Sequence, residues 1–293
     1  MPIKLHTAIL NTAARLWASF LAVPVKPRAG EPDGLHRVGV WVGRAAIVNP
    51  KRTVCELKAL GATDCYVMVN DFSRKRAVTR FSFYGGVQGL ADHLNAAGIR
   101  VHLTTWVMRH RSFVEQMCAD LPVLARACKA VSVLGDLEEP WTQSKGKGTL
   151  SPKAAAALIA ELWPDDIPLG VTGIGYASTR KLKPFAQLCS YLVPQAYSTR
   201  TSKLSCLNVG RRFVKIWASK FGKAEQRVGL AAYRQQGVKG SDGTELDAML
   251  KAIASVPPEV DEVIFWWLPT LRLDSPRRDA VLKLRATIEG AIA

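Results

Sequence analysis

The chain has 293 residues, 48% of them hydrophobic and 22% charged. That is enough apolar material for one large core, and it excludes a disordered chain. The formal charge of +16, from 40 Lys and Arg against 24 Asp and Glu, favours polyanionic surroundings such as nucleic acid, anionic lipid or acidic envelope polymers.

The basic residues are dispersed, with short clusters at Arg74–Lys75–Arg76, Arg109–His110–Arg111 and Arg277–Arg278. No nucleic-acid-binding motif or aromatic–basic stacking pattern accompanies them, so no specific nucleic acid is expected and a solvated basic surface is the plain reading. The six cysteines, Cys55, Cys65, Cys118, Cys128, Cys189 and Cys206, include no Cys-x-x-Cys pair. Neither a disulfide framework nor a metal site is expected, and the chain reads as synthesised in a reducing cytoplasm.

Residues 1–34 form the first unit, a helix followed by a linker. LHTAILNTAARLWASFLAV is apolar over much of its surface, but Asn11, Thr12 and Arg15 interrupt it. It falls short of the roughly 18 uninterrupted apolar residues of a spanning helix. Two readings stay open: an amphipathic helix packed on the rest of the chain or on a partner, and a weak export or membrane-association signal. KPRAGEPDG then has the Pro, Gly and charge of a linker.

Residues 35–293 alternate short apolar, β-rich runs with longer amphipathic stretches. Strands are predicted at 37–43, 64–70, 100–107, 130–136, 168–175, 190–197, 227–233 and 261–268, spaced by about the length of one βα unit. Their apolar character on both faces is that of a parallel sheet covered by helices. Helix signals lie between them. KRTVCELKALGA closes on Gly61, VQGLADHLNAAG follows Gly85–Gly86 and closes on Gly98, and Ser-Pro pairs open helices at Ser151 and Ser275. The predicted fold is α/β, a (β/α)₈ TIM barrel with an N-terminal helical extension. A doubly wound sheet, the alternative, would want a glycine-rich phosphate loop after its first strand, and WVGRAAIVNPKR is not one.

Such barrels carry their chemistry at the C-terminal strand ends. The fourth end, Gly135-Asp136-Leu137-Glu138-Glu139-Pro140-Trp141, concentrates carboxylates at the mouth of an apolar strand. Alternation gives Asp136 and Glu138 a common direction. Asp136 is then expected to hydrogen-bond Glu138 and raise its pKa, as a general acid requires. Other strand ends supply Asn70 and Asp71, Trp106, Tyr176, Gln195 and Tyr197, Tyr233, and Trp266 with Trp267. Flat aromatic walls with a few placed polar groups suit sugars. Trp266 and Trp267 are adjacent, so only one of them can face the barrel.

VSVLGDLEE, followed by LVPQAYS and VIFWWL, resembles the glycoside hydrolase family 18 barrel of chitinases and endo-N-acetylglucosaminidases. The resemblance implies Glu138 as the acid, Asp136 as the Asp that orients the substrate's acetamido group, Tyr197 as its assistant, Gln195 beside it, and Trp266 as the floor of the sugar subsite. It implies substrate-assisted cleavage of an N-acetylated glycan, chitin-like or peptidoglycan, with no cofactor and no metal. The family's outer Asp falls here on Leu134. Family-25 lysozyme barrels are an alternative, but they usually carry an acid at the end of strand one, where this chain has Gly43–Arg44. Trp106, Trp141, Tyr176, Tyr233, Asn70 and Asp71 complete the expected groove. Basic charge and size suit a phage-type peptidoglycan hydrolase acting at the bacterial cell wall or within a virion. The competing class is a non-catalytic barrel that binds glycan or serves an envelope or virion structure.

Overall fold

The computed structural model describes residues 37–70, 79–138, 141, 149–174, 179–198, 204–222, 225–232, 238–242, 245–257, 260–266, 268–273 and 275–290. The N-terminal unit, residues 1–34, lies outside them.

Eight strands form at the expected places: β1 (Arg37–Val42), β2 (Asp64–Met68), β3 (Arg100–Trp106), β4 (Ser132–Asp136), β5 (Leu169–Ile174), β6 (Tyr191–Gln195), β7 (Glu225–Ala231) and β8 (Glu262–Trp266). Each pairs in parallel with the next, and β8 pairs with β1 to close a barrel. The chain is therefore a (β/α)₈ TIM barrel. Its helices are α1 (Arg44–Val48), α2 (Pro50–Ala59), α3 (Val87–Ala96), α4 (Arg111–Ala127), α5 (Pro152–Leu162), α6 (Thr179–Ala186), α7 (Val209–Phe221), α8 (Glu245–Ala254), α9 (Leu268–Leu273) and α10 (Ser275–Gly290).

Local signals explain the boundaries. Ser151 Oγ accepts from Ala154 N at 3.1 Å, and Pro152 opens α5 with its fixed φ. Gly61 and Gly98 take φ values of 64° and 75° where α2 and α3 end, a conformation that costs glycine least. The helices then turn an apolar stripe inward. In α4, Phe113, Val114, Met117, Leu121 and Leu124 recur at helical spacing and are buried. This layer between strands and helices is the main core. The six cysteines are free; Cys65, Cys118, Cys128 and Cys206 are buried.

The barrel lumen is a second, smaller core of Trp41, Tyr66, Met68, Leu134, Tyr191, Val193 and Ile264. Large side chains fit because glycines face them. A Cβ at Gly170 would overlap the Tyr191 ring, and one at Gly39 would overlap Glu262 and Tyr66.

Below this layer, at the N-terminal ends of the strands, the lumen is charged. Asp64 Oδ1 accepts from His102 Nε2 at 2.8 Å, and Arg100 reaches the same carboxylate at 2.8 Å. His102 Nδ1 meets Ser132 Oγ at 2.6 Å, and Ser132 meets the Tyr191 hydroxyl at 2.8 Å. On the other side, Tyr66 donates to Glu262 at 2.9 Å, and Arg227 bridges Tyr66 (2.6 Å), Glu225 (2.7 Å) and Glu262 (3.3 Å). Arg37 adds a second guanidinium beside Glu225 and Glu262. Asp64, Glu225 and Glu262 thus face Arg37, Arg100 and Arg227, three against three once Glu262 is ionised. Buried ions persist only when paired in this way.

Two members of the network titrate in opposite senses. Burial raises Glu262 to about 7, with the Asp64 charge adding to it and Arg227, Arg37 and the Tyr66 hydroxyl opposing. Burial lowers His102 to about 4, although its bond to Asp64 works the other way. The folded chain keeps a proton on Glu262 that an unfolded chain releases. That contribution is complete below the unfolded value of about 4.3 and is lost as pH rises through the folded value. His102 stays neutral where an unfolded histidine would be charged. Its contribution is present above about 6.5 and is lost as pH falls toward the folded value. Across roughly pH 4.5–6.5 the two slopes oppose, each about 1.4 kcal/mol per pH unit. Glu262→Gln removes one of them, so the variant's stability relative to wild type is expected to rise with pH across this window. Thermal melts at several pH values check it; parallel curves would contradict the assignment.

Candidate active site at the C-terminal end of strand four

Alternation along β4 turns Leu134 and Asp136 into the lumen. Leu134 is fully buried in the lumenal apolar cluster. Asp136, the last residue of the strand, is 4% exposed and accepts a hydrogen bond from Gln195 Nε2 at 3.2 Å. Burial holds the Asp136 carboxyl well above its ordinary range, the neighbouring Glu138 charge pushes the same way, and the Gln195 bond pulls back. Glu138 follows two residues later, just past the strand and partly buried. Sequence reasoning put an elevated pKa on Glu138 and did not foresee the one that burial gives Asp136.

Gln195 ends β6, beside β5, and Thr172 of β5 is the register partner of Asp136. Among the described residues, Gln195 Oε1, Thr172 Oγ1 and Thr104 Oγ1 are buried and have no hydrogen-bond partner. Buried polar atoms are nearly always satisfied, so these three mark the lumen around Asp136 as a place for a polar ligand group. Thr104 pairs with Leu134 across β3 and β4. Tyr197 continues the Val193–Gln195 alternation past the end of β6 and is partly buried. Trp106 and Trp266, at the ends of β3 and β8, are partly buried and pack on the lumenal cluster. Trp266 meets Trp41 edge-on, with ring centroids 5.7 Å apart. The strand ends thus bring Asp136, Glu138, Gln195, Tyr197, Trp106 and Trp266 to one face of the barrel.

Two expected groove residues have other work. Asn70 Oδ1 accepts from Trp106 N at 2.9 Å and from Thr105 Oγ1 at 3.3 Å, while its Nδ2 donates to Trp106 O at 3.3 Å. Its amide is engaged in clamping β2 to β3. Trp141 is fully buried, donates from Nε1 to Val107 O at 2.6 Å and packs edge-on against Phe185. It belongs to the layer between strands and helices, in the main core with Leu137 and Phe185. Asp71, Tyr176 and Tyr233 lie outside the described residues, as do Glu139 and Trp267.

Asp64, His102 and Glu262 are the described group with donor atoms close enough to share a cation. They do not fit a metal centre well. Both His102 nitrogens are engaged by Asp64 and Ser132, and Arg37, Arg100 and Arg227 already neutralise the carboxylates.

The barrel fold is shared with known proteins. A group IV chitinase from Ostrinia furnacalis superposes with a TM-score of 0.63 at 11% identity, over 88% of this chain and 100% of that one. The likeness is one of fold. The spore cortex-lytic enzyme SleL of Bacillus cereus matches at TM-score 0.59 and 9% identity, over 94% of this chain and 83% of that one. The xylanase and alpha-amylase inhibitor protein XAIP-II of Scadoxus multiflorus matches at 0.55 and 11% identity, over 85% of this chain and 98% of that one. No family model matches the chain, and no curated protein matches it in sequence. At these identities the likeness establishes the fold, which carries enzymes and inhibitors alike.

Proposed function

We propose that the chain is a glycoside hydrolase that cleaves N-acetylated glycan, peptidoglycan or chitin-like, from the C-terminal end of β4. The observation that carries this reading is Asp136, buried at the end of the strand, held by Gln195 and two residues ahead of Glu138. Burial favours a proton on Asp136, and the two neighbouring carboxyls resist ionising together, so the pair holds one proton between them, which in this reading passes to Glu138 as the sugar binds.

In this reading Glu138 gives its proton to the glycosidic oxygen as the bond from the anomeric carbon to that oxygen breaks. The substrate's own 2-acetamido carbonyl oxygen closes on the anomeric carbon, so no enzyme nucleophile is needed. Asp136 and Tyr197 hold the acetamido group, Gln195 fixes Asp136, and Trp266 and Trp106 offer flat faces to the sugar rings. Water then attacks the anomeric carbon and gives its proton to Glu138 as the bond from that carbon to the acetamido oxygen breaks, restoring the acetamido group and retaining the starting configuration. The protein folds in a reducing cytoplasm and acts on a bacterial cell wall.

The test is a pair of substrates. Chitin oligomers should be cleaved, and the fully N-deacetylated oligomers should be left intact at equal concentration. Equal cleavage of both would overturn the substrate-assisted route.

Leu134 favours a second reading. Its burial in the apolar cluster leaves no carboxylate beneath Asp136, and a barrel of this kind that binds glycan without cleaving it is the alternative. Saturable glycan binding with no product would select it.

A further inference from the structure

Among the described helices of eight residues or more, α6 and α7 alone contain no acidic residue. They are neighbours in the ring and pack against each other. α6 (TRKLKPFA) contributes Lys181 and Lys183, and α7 (VGRRFVKIWASKF) contributes Arg211, Arg212, Lys215 and Lys220. Lys183 and all four basic residues of α7 are exposed. Among the described residues, Lys183, Arg212, Lys215 and Lys220 form no ion pair with a carboxylate. The other long helices mix their charges: Arg52 pairs with Glu56 on α2, Arg111 with Glu115 on α4, and Lys251 with Asp247 on α8.

The geometry of this face suits a linear polyanion. Arg212, Lys215 and Lys220 run along the outside of one helix, and at 1.5 Å per residue they span about 12 Å. Because α7 returns from the C-terminal end of β6, its Arg211–Arg212 end lies toward the rim that carries Gln195 and Tyr197, and the charges continue from there down the barrel wall. Of the aromatic side chains of the two helices, Phe185, Phe213 and Trp217 are buried, and Phe221 is half-buried, packed edge-on against Trp217. The face therefore offers charge without the exposed rings on which single-stranded bases stack.

We propose that the α6–α7 face docks the anionic phosphodiester polymer of a bacterial cell wall and so holds the barrel on the glycan to which that polymer is attached. This rests on the glycan-hydrolase reading for its substrate, but the docking itself does not need the hydrolytic step.

The test uses the full chain and purified Gram-positive wall sacculi, either intact or stripped of their teichoic acid. The variant Lys183→Gln/Arg212→Gln/Lys215→Gln/Lys220→Gln changes only exposed side chains, and an unchanged thermal melt confirms its fold. Wild type should sediment with intact sacculi about tenfold more tightly than the variant, and the difference should shrink steeply between 50 and 200 mM salt as counterion release predicts. Stripped sacculi should bind both proteins equally and weakly. Both proteins should cleave soluble N-acetylated oligomers at the same rate. Equal binding of wild type and variant, or undiminished binding of wild type to stripped sacculi, overturns the proposal. Tighter binding to a 30-base-pair duplex DNA than to intact sacculi also overturns it, in favour of nucleic acid. Loss of the hydrolysis of oligomers in wild type, with the sacculus pattern intact, would instead fail the hydrolase reading and leave the docking standing.

Discussion

Glu138→Gln is expected to leave the barrel folded and to lower turnover on N-acetylated glycan by about 10²–10⁴-fold, the range over which a positioned general acid contributes. The amide keeps the volume and hydrogen-bonding reach of the carboxyl but cannot deliver a proton to a leaving oxygen. Glu138 sits past the end of β4 and is only partly buried, so the isosteric amide is expected to leave the fold intact. The separation from Asp136 is instructive. Asp136 lies in the lumen, 4% exposed and bonded to Gln195, and replacing it disturbs geometry and chemistry together. The measurement is kcat on soluble oligomers together with a thermal melt. A melt that matches wild type with kcat unchanged would remove Glu138 from the acid's role.

Arg227→Met should produce the largest loss of stability. Arg227 is 6% exposed, lies 3.8 Å above the Tyr191 ring, and is bonded to Tyr66, Glu225 and Glu262 at once. Methionine fills similar space but leaves Glu225 and the fully buried Glu262 to share Arg37 alone, at 3.1 and 3.6 Å. Removing one partner from a buried ionic cluster costs about 3–5 kcal/mol. For a chain of this size that is a fall in Tm on the order of 10 °C. Adding Glu262→Gln should recover part of the loss, because the amide no longer needs a counter-charge, and a double-mutant cycle would report the coupling. A loss below about 1 kcal/mol would mean that the network is solvated rather than buried.

The barrel was legible because each βα unit repeats its own local signals. Ser151–Pro152 caps a helix, Gly61 and Gly98 stop two, and every predicted strand coincides with an observed one within a few residues. These signals are short-range, and a sequence displays them directly. The position of Asp136 followed from the same logic, since alternation alone turns it inward with Leu134.

What the sequence concealed lies in contacts between distant strands. Asp64, His102, Ser132, Arg227 and Glu262 are polar residues within, or at the start of, apolar runs. Only closure of the barrel brings residues 64, 102 and 262 together. Their inward register within their strands is the signal that could have found them. Asn70 and Trp141 went the other way. A strand-end polar residue and a Trp after a strand look like groove residues, but whether their polar atoms are engaged by Trp106 or Val107 depends on neighbours 36 and 34 positions away. Trp41, whose ring carries Trp266, was passed over for a similar reason, since a mid-strand Trp gives no sign of which large residue will stack on it.

The measurement that bears most directly on the central claim is product analysis on an N-acetylated glycan. Purified peptidoglycan and chitin oligomers are incubated with wild type and with Glu138→Gln, and the released ends are identified by mass and anomeric configuration. The account predicts fragments ending in N-acetylhexosamine with retained configuration from wild type and none from the variant. Fragments of inverted configuration, or the same yield from both proteins, would contradict it.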